Sequence, residues 1–239
     1  MKRILLLEHE ADNPEGYVGK ILQEHHISRD IIRVDQEPLP DPAHYSAIIA
    51  FGGAQHLYEE EKYPYFGPEK ALLRTSVEQK RPVLGICLGG QLLASALGGT
   101  VKRHTTQEAG FYEIPLTEEG GKDPLYQGLP GYQTVFHWHE DTFDLPPGAI
   151  LLASNELTKN QAFRYGSLAY GLQYHIELDA TMLDDWLYHC GLQRDIIDML
   201  GVEEYRAFMQ ELPTLFATYH AHTRIVLENF LRVSGLIWS

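Results

Sequence analysis

The segment Pro82-Val83-Leu84-Gly85-Ile86-Cys87-Leu88-Gly89 constrains the fold more than any other part of this chain. Its apolar start reads as a short buried strand, and Leu88 to Leu97 reads as a helix. A strand that passes into a helix through one residue leaves that residue's side chain projecting from the end of a sheet. Gly85 and Gly89 leave room for the sharp reversal of a nucleophile elbow, with Cys87 at its tip. The first amides of the helix point at the same spot, where their partial positive charge favours a thiolate over a thiol. The pattern is short enough to arise by accident, and an unpaired cysteine is ordinarily a small buried hydrophobe. Its weight therefore depends on what surrounds it.

The neighbouring segments supply a sheet. Met1 to Glu8 reads as a first strand, and Asn13-Pro14-Glu15 as a helix start with Asn13 as N-cap and Val18, Ile21 and Leu22 on the apolar face. Ile31 to Val34 is a second strand. Ala47 to Phe51 is apolar without alternation, as in a parallel strand covered on both faces, and it ends in Gly52-Gly53. Pro68 opens a helix, and Pro82 starts the strand that leads to Cys87. Five further strands are predicted at 111–116, 134–138, 150–153, 161–165 and 169–174, partly antiparallel. From Asp179 onward the pattern is helical, with breaks near Gly191, Gly201 and Pro213 and a last helix that places Phe216, Tyr219, Val226 and Phe230 on one face. The expected fold is α/β: a doubly wound, mixed but mostly parallel flavodoxin-like sheet with helices on both faces. One domain spans 1–239, with a helical C-terminal cap over about 178–235. Ligands of such sheets gather at the carboxyl ends of the strands, where Gly52-Gly53 and Cys87 both fall.

Composition narrows the partners. A net charge of −14 argues against nucleic acid and against an anionic membrane surface, leaving a small molecule or a protein. With only two cysteines, Cys87 and Cys190, no disulfide framework is suggested, and a reducing, cytoplasmic compartment is the natural reading. Cys190 follows Met182, Leu183 and Trp186 at helical spacing and reads as core packing. Glu8, His9 and Glu10 interrupt the apolar N-terminus too early for a signal peptide, and no stretch is long enough to span a bilayer.

A second cluster completes a chemical set. If the backbone stays extended through His175-Ile176-Glu177, the outer two side chains project to one side, and Glu177 can orient His175. An isolated His-x-Glu is usually a surface pair, but beside an elbow the imidazole can take the Cys87 proton and return it to a leaving group. The amides of Leu88 and of the Gly52-Gly53 turn, Gly53 first, are the candidates to hold an oxyanion.

The segments 82–94, Phe51-Gly52-Gly53 and 170–177 together resemble the class I, triad-type glutamine amidotransferases. The resemblance runs in order through about the first 180 residues. It is nearest in layout to stand-alone proteins similar to the glutaminase domain of GMP synthase, which also carry a segment like 135–143. It implies Cys87 as nucleophile, His175 as base and Glu177 as orienter in cleaving the side-chain amide of glutamine, with Gln91, Trp138 and His139 helping to hold the substrate's amino-acid end. No cofactor is implied, and a synthetase that accepts ammonia is an implied partner. Two positions depart from the family pattern: Gly90 replaces a usual His or Tyr, and Ile176 a usual Pro. Neither supplies a reacting atom, but Gly90 is expected to enlarge the pocket behind the nucleophile.

Two alternatives stay open beside glutaminase activity, namely a stand-alone hydrolase of γ-glutamyl amides and a non-catalytic regulatory module on the same fold. The run His137-Trp138-His139-Glu140-Asp141 fits a His-x-His-x-Asp metal pattern. With Thr142 in place of a further His and no second ligand cluster in the sequence, no metal is expected. His25, His26, His220 and His222 are expected to be solvated.

Overall fold

The computed structural model describes residues 2–238. In chain order the elements are β1 (Arg3–Glu8), α1 (Gly16–Glu24), β2 (Ser28–Arg33), β3 (Ala47–Ala50), α2 (Phe66–Glu78), β4 (Val83–Ile86), α3 (Leu88–Ala96) and β5 (Val101–Pro115). There follow α4 (Glu118–Lys122), β6 (Tyr132–Phe143), β7 (Ile150–Ala153), β8 (Ala162–Tyr165), β9 (Ala169–Leu172), α5 (Ala180–Tyr188), α6 (Leu192–Leu200) and α7 (Val202–Val233).

Alternation along β1 shows why its apolar run makes a central strand. Ile4 and Leu6 pack on one face with α1 and α7, while Leu5 and Leu7 pack on the other with α2 and α3. A strand covered on both faces must be apolar throughout, and β3 and β4 are fully buried in the same way. The sheet has seven strands in the order β2-β1-β3-β4-β9-β8-β7. The pairings from β2 to β9 are parallel, and β8 and β7 add antiparallel strands at the far edge. This is the mixed, doubly wound sheet that the sequence predicts. The chain leaves β1 for β2 on one side and returns to β3 on the other. The loops after β1 and β3 therefore diverge and open a crevice.

The second architectural unit is a long antiparallel hairpin, β5 and β6, whose register shifts between Arg103 and Glu108. Its residues Ala109 and Phe136 join Leu183, Trp186, Leu187, Ile196 and Tyr219 of the C-terminal helices in a separate apolar cluster. The hairpin and these helices thereby form a wall beside the carboxyl ends of the parallel strands.

Several sequence expectations are corrected. Asn13 does not cap α1, which starts at Gly16 with Glu15 before it. The positive φ of Gly16, 41°, delays the helix and leaves Asn13 buried beside Gly52. Pro213 does not break the last helix, which runs through it. Phe208, Leu212, Phe216 and Tyr219 pack on both sides of it, and that burial offsets the lost backbone bond. His222 is buried rather than solvated, and its Nδ1 accepts from the Thr134 amide at 2.9 Å. His220 stacks on Tyr17 with centroids 3.9 Å apart and donates to the Leu178 carbonyl. His25 meets Glu228 at 3.2 Å, and His26 alone of the four is exposed.

Candidate active site

The elbow carries the strain that its name implies. Cys87 has φ 50° and ψ −110°, a conformation that costs a side-chain-bearing residue about 1–3 kcal/mol and persists only where the surroundings enforce it. The enforcement is main-chain hydrogen bonding: Cys87 N donates to Leu172 O at 2.8 Å, Gly89 N to Phe51 O at 3.0 Å and Gln91 N to Cys87 O at 2.9 Å. A Cβ on Gly89 would stand 2.1 Å from Ala50 O, so α3 can sit this close to β3 only with glycine there.

Gly90 does not open the pocket as the sequence suggested. A Cβ there would lie 2.4 Å from Leu172 O, so the space is filled by the main chain of β9. Ile176 is fully buried.

His175 and Glu177 meet as their spacing predicts, with Nδ1 and Oε1 2.7 Å apart. The segment is pinned from several directions. His175 N donates to Phe136 O at 2.8 Å and Tyr17 N to Glu177 O at 2.7 Å, while Leu178 N donates to the Tyr219 hydroxyl at 3.0 Å. Glu177 Oε2 accepts from the Ile176 amide at 2.9 Å. Burial alone would lower the His175 pKa, but the Glu177 carboxylate and the adjacent Cys87 thiol outweigh it and push it up to about 10. The imidazole is therefore held in its protonated form beside Cys87. Trp186 closes over it edge-on, with ring centroids 5.0 Å apart.

Gly52 and Gly53 follow β3 at the same end of the sheet. The Gly53 α-carbon lies against the Leu88 side chain, and the Gly52 α-carbon against the His175 ring. Leu88 is the first residue of α3, so its amide has no acceptor within the helix. Behind the turn, His9 and Glu69 form a fully buried pair at 3.0 Å. Burial lowers the His9 pKa, but the Glu69 charge and a hydrogen bond with the Gly52 main chain raise it above its ordinary value. No sequence pattern links these two residues, which lie 60 positions apart.

These groups border a cavity of about 420 Å³. Of the residues singled out in the sequence, Cys87, His175, Gly53, Gln91, Trp138 and His139 line it, while Glu177, Leu88 and Gly52 support it from behind. Gln91 is buried and donates to Gln173 at 3.4 Å. The sequence missed Glu10, Asp12 and Asp195 of the acidic lining and read Glu140 and Asp141 only as part of a metal pattern; no lysine or arginine is among the lining residues. Glu140 is paired with Arg103 and Asp141 with His56, both at 2.7 Å. Glu10, Asp12 and Asp195 are the less compensated carboxylates. Cys190 packs against the apolar cluster of Met182, Leu183 and Trp186 as expected and also borders the cavity, with Sγ 3.4 Å from Asp12 and 3.6 Å from Asp185. Burial and these two carboxylates push its thiol up to about 12, which keeps it protonated and unreactive.

Comparison with known proteins shows the family. The family model described as Glutamine amidotransferase class-I matches residues 18–191. A glutamine amidotransferase-like protein of Salmonella typhimurium, YfeJ, is 35% identical over 165 residues, covering 68% of each chain. The glutamine-hydrolyzing GMP synthase subunit of Thermococcus kodakarensis is 39% identical over 113 residues, which span 46% of this chain and 58% of that one. For the GMP synthase of Porphyromonas gingivalis the match spans 32% of that chain. Among solved structures, a glutamine amidotransferase from Thermotoga maritima superposes with a TM-score of 0.81 at 30% identity, covering 98% of both chains.

Proposed function

The chain belongs to the class I glutamine amidotransferases, and we propose from this premise that it is a cysteine-dependent hydrolase of γ-carboxamides. The observation that carries the reading is the strained elbow residue Cys87 sharing a cavity with His175, whose ring is held by Glu177 at 2.7 Å. The Cys87 thiolate attacks the side-chain carbonyl carbon of glutamine, and the carbonyl electron pair moves to oxygen. The amides of Leu88 and Gly53 stabilise that oxyanion. As the tetrahedral adduct collapses, His175 gives its proton to the departing nitrogen and ammonia leaves. Water, deprotonated by the now neutral His175, then opens the γ-glutamyl thioester and releases glutamate. Gln91, Trp138 and His139 would contact the rest of the substrate.

A second reading changes only the leaving group. The carboxylates of Glu10, Asp12 and Asp195, in a lining without lysine or arginine, favour a γ-glutamyl amide whose amine portion carries positive charge. The matches to separate glutamine-hydrolyzing subunits of GMP synthase support the alternative of glutamine hydrolysis for a partner synthetase in the cytoplasm.

The test is mass spectrometry of the whole chain after incubation with a glutamine-like chloroketone, together with turnover of glutamine, γ-glutamyl dipeptides and γ-glutamyl diamines. One label per chain on Cys87, lost in Cys87→Ser, is expected. Absence of both labelling and turnover, with and without cell extract, would reject the enzyme and leave the non-catalytic module. Turnover of diamine conjugates above glutamine would favour the second reading.

A further inference from the structure

A second set of chemically capable side chains lies inside the hairpin, away from the triad. Glu108 on β5 is the register partner of His139 on β6, and His137 stands two residues earlier on that strand. Residues two apart on a strand share a face, so both imidazoles project toward Glu108. One donor atom from each of the three falls within 4.8 Å of the other two, and all three residues are buried. His139 Nε2 is 3.2 Å and His137 Nε2 4.0 Å from the Glu108 carboxylate. The Asp141 of the sequence pattern is not in the set, because its carboxylate turns to His56 at 2.7 Å.

The hydrogen bonding leaves these donors free. His137 is fully buried, and neither of its ring nitrogens has a partner. His139 Nδ1 donates to the Asp141 carbonyl at 3.0 Å, which places a proton on Nδ1 and turns Nε2 toward Glu108. Nε2 makes no hydrogen bond despite its proximity to Glu108. An imidazole whose one N–H is held by a carbonyl, with the other nitrogen left to a ligand, is how metal-binding histidines are oriented. Glu108 is itself steadied by Asn155 at 2.8 Å, Thr158 at 2.6 Å and Gln161 at 3.1 Å. These are neutral donors, and among the described residues no lysine or arginine pairs with this buried carboxylate.

We propose that Glu108, His137 and His139 bind one divalent first-row transition-metal ion of the Zn2+ class, as a clip across the β5–β6 hairpin. Two imidazoles and one carboxylate suit such an ion better than Mg2+ or Ca2+, which take oxygen ligands. Bonds of about 2.0–2.2 Å require the donors to close by about 1 Å or less, a movement that side-chain torsions can supply. His139 borders the catalytic cavity, which gives the ion a route in. The clip steadies the hairpin that braces the base, because the His175 amide donates to Phe136, the residue before His137. The site takes no ligand from Cys87, His175 or Glu177.

The experiment is equilibrium dialysis of the chelator-stripped full chain against Zn2+ and Co2+, with the visible spectrum of the Co2+ form and melting curves. Binding of one ion per chain is expected, with the d–d bands of nitrogen and oxygen ligation and no thiolate charge-transfer band, and with a raised melting temperature. Cys87→Ser should bind identically. His137→Gln and Glu108→Gln should abolish stoichiometric binding, and Asn155→Ala, which alters only an orienting contact, should weaken it about 10-fold. If the ligand variants fail to fold by circular dichroism, the wild-type Co2+ spectrum and the shift of its histidine NMR signals on adding Zn2+ decide. Failure to bind at millimolar metal, a thiolate band, or binding unchanged in folded ligand variants would overturn the proposal.

Discussion

The two sides of the cavity are built by different means. On one side the ends of β3, β4 and β9 bring up Gly53, Cys87 and His175 from strands that are apolar on both faces and bonded to one another through the main chain. On the other side the β5–β6 hairpin and the C-terminal helices bring up Trp138, His139, Glu140, Trp186 and Asp195 through side-chain packing between segments distant in sequence. The first side fixes atoms through backbone hydrogen bonds, which suits the proposed chemistry. The second can change residue by residue without disturbing the sheet, which suits the proposed selection of the substrate. A change on the sheet side should therefore abolish reaction with any substrate, and a change on the hairpin and helix side should discriminate among substrates.

The largest effect tests the sheet side. Cys87→Ser is expected to lower turnover of every γ-glutamyl substrate by about 10⁴-fold or more, because a hydroxyl in place of a thiolate removes the covalent route. Retention of even a tenth of the activity on one substrate would break the division, since it would mean that a second nucleophile or a bound water acts from the other wall.

Glu177→Gln should be milder in kinetics and informative in pH. The Glu177 charge is the leading cause that holds the His175 pKa up at about 10, against the lowering effect of burial. A folded-state pKa raised above 6.5 favours the folded protein fully below pH 6.5, and that contribution fades as pH rises toward 10. The melting temperature of Glu177→Gln should thus fall furthest below wild type at pH 6 and approach it between pH 7 and 10. A deficit constant over that range would show that Glu177 acts through packing rather than through the charge of His175.

The same division governs what was legible in the sequence. The elbow, Gly52-Gly53 and His175-Ile176-Glu177 could be read because each is local: a strand end plus a few residues fixes where the side chain goes. Glu108, Glu69, Asp195 and the cavity-side position of Trp186 were not legible. Each owes its place to a partner far along the chain, such as Glu69 to His9 or Asp195 to Trp138. Gly90 failed for a related reason, because the missing side chain is accounted for by the backbone of β9 rather than by the cavity. Pro213 failed because the local cost of proline is offset by packing on both sides of it.

That last point yields a prediction of intermediate size. Pro213 is exposed within α7, so Pro213→Ala restores a helical N–H and should stabilise the chain by about 1–2 kcal/mol, less than the full helix penalty because alanine also loosens the unfolded state. Urea denaturation measures it. A loss of stability would mean that the proline sets a bend on which the docking of α5 and α6 depends, tying the helical wall to the local sequence more closely than its packing suggests.

The smallest effect bears most directly on the division between the two sides. Asp195 sits on α6, three-quarters covered, and accepts from Trp138 Nε1 at 3.0 Å. Asp195→Asn keeps an oxygen for that bond and removes only the charge. For a γ-glutamyl diamine the lost attraction should be about 0.5–1 kcal/mol, a KM raised about 2–5-fold with kcat unchanged. For glutamine, whose departing nitrogen carries no attached cation, KM should stay within about 2-fold. Added salt should shrink the difference between the two substrates, because a partly exposed charge acts through solvent that ions screen. An equal rise in KM for both substrates would place the Asp195 charge near the amino-acid end that they share. The helical wall would then hold the common part of the substrate, and specificity would have to reside in the loop after β1, where Glu10 and Asp12 border the same cavity.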